Sequence, residues 1–263
     1  MPGRVKLNNS EKMPAFGFGT WNLTGSKCVE STGEALRVGY RLLDTARIYG
    51  NETEVGEAIR QSPIPREDIF ITTKLWPNDF GYETALRAFD ESLERLMLEY
   101  IDLYLIHWPR DDKEKRQQSW LALVELAKQG LAKSIGVSNY GIEHLEETLN
   151  SGFAPAVNQI EFHPYIYEEQ RPILEFCKKH SIIVEAYSPL SQGHGLNSIT
   201  VRDISERTGR TPAQVVLRWA VQHDTIPIPK SAHAERIREN FKVFDFELST
   251  DDMKMLDELS LTH

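Results

Sequence analysis

Cysteine is nearly absent from this sequence. Cys28 and Cys177 are the only two in 263 residues, far apart and without metal-type spacing. That rules out a disulfide framework and the usual zinc patterns, and it suits a reducing, cytoplasmic setting. Cys177 falls in a predicted helix and Cys28 just ahead of one, and both read as buried, inert thiols. No apolar run approaches the roughly 20 residues of a membrane helix. The first ten residues hold no apolar stretch of a secretory signal. Positive charge is also short: 30 Lys and Arg face 39 Asp and Glu, for a net charge of -9 and a sequence pI of about 5.5. This argues against a nucleic-acid or anionic-membrane surface. No linker, low-complexity stretch or break in composition divides the chain, so residues 1–263 are expected to form a single domain.

What is present is alternation. After a turn at Asn8-Asn9-Ser10, which predicts a small hairpin, β-branched and apolar runs alternate with amphipathic ones. Strands are predicted over 16–21, 41–43, 70–74, 101–106, 132–137, 156–160, 182–187 and 225–228. Helices are predicted over 30–38, 51–60, 82–98, 119–129, 142–149, 168–180, 199–208, 212–222, 234–240 and 251–259. Strand–helix repetition of this kind predicts a parallel sheet with crossover helices. About eight strands suit a closed (β/α)8 barrel, with an N-terminal β-hairpin and extra helices near the C-terminus. The competing architecture is a doubly wound open sheet, with a Gly-rich phosphate loop after its first strand. The stretch from Gly17 to Asn22 begins like such a loop, but Asn22 stands where the third glycine belongs and no helix is predicted there.

The predicted strands end in polar or aromatic residues: Trp21, Asp44, Lys74, His107, Asn139, Gln159, Tyr187 and Lys230. In a barrel those ends converge on one face, where such folds place their active sites. Each has a plain structural alternative: Asp44 as a turn cap, Tyr49 as a gap filler, His107 as a hydrogen-bonded core residue, a tryptophan as core packing. Together they point to a site. Asp44 would hold Lys74 as an ammonium, which opposes an imine-forming aldolase role. A charged lysine beside Tyr49 lowers a phenol pKa that starts near 10 and makes a usable proton donor. His107 could orient the same carbonyl oxygen. A hydride source is then needed, and no side chain supplies one, which implies a nicotinamide cofactor. No metal site is expected.

At this point a resemblance can be stated. The stretches Gly17-Phe-Gly-Thr-Trp21, Asp44-Thr-Ala-Arg-Ile-Tyr-Gly-Asn-Glu52, Thr73-Lys-Leu-Trp76, Leu105-Ile-His-Trp-Pro109, Ile135-Gly-Val-Ser-Asn139, Asn158-Gln-Ile-Glu-Phe-His-Pro164, Ile228-Pro-Lys-Ser231 and Arg236-Ile-Arg-Glu-Asn240 resemble the aldo-keto reductase superfamily over almost the whole chain. The likeness is strongest to its shorter microbial members, the diketogluconate and methylglyoxal reductases. It implies a catalytic tetrad at Asp44, Tyr49, Lys74 and His107. It further implies that NADPH stacks its nicotinamide on Tyr187, its amide held by Ser138, Asn139 and Gln159, with Gly19, Thr20, Trp21 and Asp44 nearby. Ser188, Leu190 and Ser191 would cover the pyrophosphate. Lys230, Ser231 and Arg236 would meet the 2′-phosphate, with Glu239 and Asn240 near the adenine. Two cations and a hydroxyl suit a phosphate dianion, although a lone Arg236 could equally be a solvated helix face. Trp21, Tyr49, Trp76, His107 and Trp108 would line the substrate mouth.

The implied activity is NADPH-dependent reduction of aldehydes and ketones, by a monomer acting on small molecules. The alternative is a cofactor-sensing binding protein with little turnover. The segment 110–118 after Trp108 reads as short and highly charged, and the chain stops at His263 soon after its last helix. A lid over the catalytic face is therefore not expected, and a broad range of small reactive carbonyls is.

Overall fold

The structure is a computed structural model and describes residues 3–261. The chain end at His263, on which part of the open-site expectation rests, lies outside the described residues.

Strands β1 (Arg4–Lys6) and β2 (Lys12–Pro14) form the expected antiparallel hairpin. Eight parallel strands follow in chain order: β3 (Phe18–Gly19), β4 (Leu42–Asp44), β5 (Phe70–Leu75), β6 (Ile101–Ile106), β7 (Ala132–Ser138), β8 (Val157–Glu161), β9 (Ile183–Tyr187) and β10 (Ile226–Pro227). The sheet curls back on itself. Gly17 N donates to Pro227 O at 3.0 Å and Gly19 N to Pro229 O at 3.2 Å, joining the last strand to the first. This is the expected (β/α)8 barrel.

The glycines of the Gly17–Gly19 stretch serve that closure and not a phosphate loop. A Cβ on Gly19 would lie 2.8 Å from the Ile228 carbonyl oxygen, and one on Gly17 would lie 2.7 Å from the side chains of Leu42 and Ile228. No side chain fits where β3 meets the segment after β10.

The helices are α1 (Gly25–Val38), α2 (Glu52–Gln61), α3 (Tyr82–Leu96), α4 (Lys113–Lys128), α5 (Ile142–Leu149), α6 (Tyr167–Lys179), α7 (Ile199–Thr208), α8 (Pro212–Gln222), α9 (Ala234–Asn240) and α10 (Thr250–Asp257). Two helix starts differ from the sequence reading by more than one residue. Helix α1 begins at Gly25, after an extended Thr24, where the pattern placed its start at residue 30. Helix α4 takes in most of the short, highly charged segment 110–118, where the pattern placed its start at residue 119. The Asp112 side chain accepts from Lys115 N and caps it. Arg116 is buried and donates to Glu147 of α5 through Nε at 3.3 Å and Nη2 at 2.9 Å. That ion pair turns an apparently solvated charge run into a packed helix start.

Two cores result. Leu36, Phe89, Leu145 and Val216 belong to the layer between helices and sheet. Leu42, Leu103, Leu105, Val157 and Ile226 fill the barrel, with Leu7 and Met13 of the hairpin packed beneath them. Asn8 Nδ2 donates to Pro155 O and Asn9 Nδ2 to Lys133 O, at the start of β8 and β7. The hairpin thus covers the N-terminal end of the barrel, and the C-terminal strand ends open on a cleft.

Candidate active site

Chemistry is concentrated where β4, β5, β8 and β9 end. Lys74 of β5 and Asp44 of β4 are both buried. Lys74 Nζ reaches Asp44 Oδ1 and Oδ2 at 2.8 Å each, Thr45 O at 2.9 Å, and Tyr49 Oη at 3.4 Å. Burial alone would lower the Lys74 pKa, but the Asp44 carboxylate, with Tyr49 and Glu185 adding to it, more than offsets this and holds the ammonium. A buried ion pair of this kind depends on its geometry and extra hydrogen bonds to offset desolvation, and both are present here.

Tyr49 sits on a single turn of 3-10 helix, Arg47–Tyr49, just after β4. Arg47 forms ion pairs with Asp79 and, at 3.2 Å, with Glu91 of α3, which anchors that turn against its neighbours. Burial raises the Tyr49 pKa, and the Lys74 ammonium pulls it back only in part. The net direction is upward, opposite to the lowering expected from the lysine alone, because desolvation is the larger effect. The phenol therefore keeps its proton through neutral pH. Lys74 donates to its oxygen, which leaves the hydroxyl proton free for an acceptor in the cleft.

His107 follows β6, its ring edge-on to Tyr49 at 5.8 Å between centroids and to Trp76 at 5.2 Å. Burial, helped by Lys74, pushes its pKa down to about 2, so the imidazole is neutral. Its Nδ1 is buried without a hydrogen-bond partner among the described residues. A proton there would be an unpaired buried donor, so the N–H belongs on Nε2, where it can donate to a ligand oxygen.

From Tyr49 the cleft runs past the ends of β7 to β10 to α9, with a volume of about 1010 Å³. Its wall carries Gly19, Trp21, Asp44, Trp76, Trp108, Asn139, Gln159, Tyr187, Ser188, Leu190, Lys230, Ser231, Arg236, Glu239 and Asn240. Trp21 and Trp108 are 53% and 43% exposed, which disposes of core packing for both. Tyr187 Oη donates to Asn139 Oδ1 at 2.9 Å, fixing the ring against the wall. Asn139, with a φ of 62°, turns the chain there and donates to His107 O.

The family model described as "Aldo/keto reductase family" matches residues 15–261. The chain belongs to the aldo/keto reductase family. Members are NADPH-using oxidoreductases, and this chain is one of them. It is 48% identical to a glyoxal reductase of Bacillus subtilis over 258 residues, 97% of this chain and 92% of that one. An aldo/keto reductase from Brucella melitensis superposes with a TM-score of 0.95 at 45% identity, covering 98% of this chain and all of that one. A mutant of Gox0644 solved in complex with NADPH superposes with a TM-score of 0.93 at 42% identity, covering 98% and 94%.

Four of the residues singled out in the sequence do not reach the cleft wall of this aldo/keto reductase. Lys74 lies behind Tyr49. Thr20 is buried, and its N and Oγ1 both donate to Asp44 O. Ser138 donates to Gln159 O and accepts from Asn139 Nδ2. Ser191 sits outside the lining, in a tight turn where its N donates to Ser188 O. Thr20 and Ser138 support residues that face the cleft. Two supporting residues escaped the sequence reading. Asn51 is fully buried and donates to Thr20 O and Leu23 O while accepting from Thr45. Glu185 is fully buried inside the barrel. Its signal was available: an acid within the apolar run Ile182-Ile-Val-Glu-Ala186 is out of pattern for a buried strand.

Proposed function

We propose that this aldo/keto reductase reduces small, reactive aldehydes and dicarbonyls to alcohols, with Tyr49 as proton donor. The observation that carries the reading is a neutral phenol held against a buried ammonium at the floor of a cleft. A cleft of that volume, with unpaired cations at its far end, fits a dinucleotide phosphate. Among the described residues neither Lys230 nor Arg236 takes part in an ion pair or side-chain hydrogen bond, whereas Arg238 pairs with Glu34 and Arg210 with Asp245. NADPH bound in the cleft supplies the hydride. Lys230, Ser231 and Arg236 would hold its 2′-phosphate, and Tyr187, Asn139 and Gln159 its nicotinamide end. His107 Nε2 orients the substrate carbonyl, Tyr49 gives its proton to the carbonyl oxygen, and Lys74 stabilises the phenolate left behind.

The broad substrate range rests on the cleft mouth. Residues 109–112 alone separate Trp108 from α4, and no described residue beyond Asn240 lines the cleft. Remote parts of a substrate find little to bind, and remote binding energy creates discrimination. The Bacillus subtilis relative is named for glyoxal, in keeping with a small, activated carbonyl. The test is loss of NADPH absorbance with methylglyoxal and a panel of aliphatic, aromatic, sugar and steroid carbonyls, compared by kcat/KM. Small aldehydes and dicarbonyls are expected to lead. A steroid preferred over all of them by orders of magnitude would sink the open-site reading, and no turnover of any carbonyl would favour a binding role.

Cofactor choice gives a second expected result. Arg236→Ala should weaken NADPH binding by roughly 10–150-fold, the usual loss for one charge-assisted contact. NADH, lacking the 2′-phosphate, should bind the variant about as it binds the wild type. Equal losses for both cofactors, measured by fluorescence titration, would show that Arg236 does not read the phosphate.

A further inference from the structure

We infer that Glu185 is a positioning residue that sets the amide of Gln159, so that Oε1 is the atom this side chain offers to the cleft. Gln159 and Glu185 are register partners across β8 and β9 and point to the same side of the sheet. Gln159 Nε2 has two protons, and both are spent inside the barrel. One goes to Asp44 Oδ2 at 2.8 Å and the other to Glu185 Oε2 at 2.6 Å. With Nε2 committed, the amide cannot rotate by half a turn without facing its oxygen to the Asp44 carboxylate. Oε1 is left as an acceptor at the cleft wall, which Gln159 lines. That is the atom a primary amide N–H on the nicotinamide ring requires. The inference rests on the proposed NADPH site.

The state of Glu185 fits this role. The charged and titratable groups acting on it are Asp44 of β4 and Lys74 of β5, with Tyr49 coupled to the same cluster. Its register partner on β10 is the apolar Ile226. Burial, reinforced by the Asp44 carboxylate, pushes its carboxyl up to about 8. Its Oε1 has no hydrogen-bond partner among the described residues. As a neutral acid it accepts from Gln159 without adding a second negative charge to the Lys74–Asp44 pair. A neutral amide of the same shape would do the same.

The experiment measures NADPH affinity by fluorescence titration, without substrate, for the wild type, E185Q, E185L, Q159L and the double variant E185L/Q159L. E185L leaves one Nε2 proton unpaired and should weaken NADPH binding about tenfold. E185Q keeps the acceptor and should bind within about twofold of the wild type. If Glu185 acts through Gln159, the double variant should be no weaker than Q159L alone, a coupling that general loosening of the barrel does not produce. Wild-type affinity in E185L, additive losses in the double variant, or a tenfold loss in E185Q would each overturn the inference. Where E185L fails to fold, a tenfold loss in E185Q still overturns the inference. Absence of NADPH binding in the wild type would instead remove the function reading on which it rests.

Discussion

Replacing Tyr49 by phenylalanine is expected to cut kcat/KM for aldehyde reduction by about 10²–10⁴-fold, the range ascribed to a positioned general acid. NADPH should bind as before, because among the described residues the hydroxyl has one hydrogen-bond partner, Lys74 Nζ at 3.4 Å, and that is the longest of the lysine's four contacts. Lys74 keeps Asp44 and Thr45 O, so the fold should not change either. Burial holds the phenol protonated at neutral pH, and the variant therefore removes a donor without removing a charge. The rate and the cofactor affinity are measured on the same preparation. A wild-type kcat in the variant would falsify the donor assignment, and a parallel loss of NADPH binding would mean that Tyr49 shapes the cleft instead.

Lys74→Met should abolish activity and also destabilise the protein, by about 3–5 kcal/mol, because it strands the Asp44 carboxylate in the barrel. Asp44 is 2% exposed, and among the described residues its side chain has, apart from Lys74, only Gln159 Nε2 as a donor. Asp44→Asn should be milder in rate, since the ammonium remains within reach of Thr45 O and Tyr49. The two effects of Lys74→Met separate in the double variant Asp44→Asn/Lys74→Met. Both charges are gone there, so most of the lost stability should return, while activity should not. Urea unfolding and kcat/KM give the two readouts. Recovery of rate in step with stability would show that Lys74 matters only for folding, and that the ammonium does not assist proton transfer from Tyr49.

The residues of the cleft were largely legible before the fold was known, and the exceptions share a cause. Asp44, Lys74, His107, Asn139 and Tyr187 stand at or beside strand ends, a position the strand pattern marks. Thr20 and Ser138 stand at similar positions, yet their hydroxyls turn to Asp44 O and Gln159 O. Only the neighbouring strand's carbonyl, supplied by the sheet register, decides which way such a short side chain points. The charge run after Trp108 misled for the same reason. Nothing in the segment's charge marks Arg116 as buried until Glu147 is seen across from it.

Sequence by itself determined the order and type of the elements, because apolar periodicity and turn chemistry act over a few residues. It also determined which residue types stand at the strand ends, and through its motifs the family and its cofactor. Tertiary structure decided whatever depends on partners distant in the chain. Barrel closure came from Gly17 and Gly19 meeting Pro227 and Pro229. The upward shift of Tyr49 and the neutrality of His107 came from burial, which a lysine's presence in the sequence does not reveal. Glu185 became a neutral acceptor only because the closed barrel removes it from water and sets it opposite Gln159. Desolvation depends on everything packed around a group, and only the assembled fold specifies that.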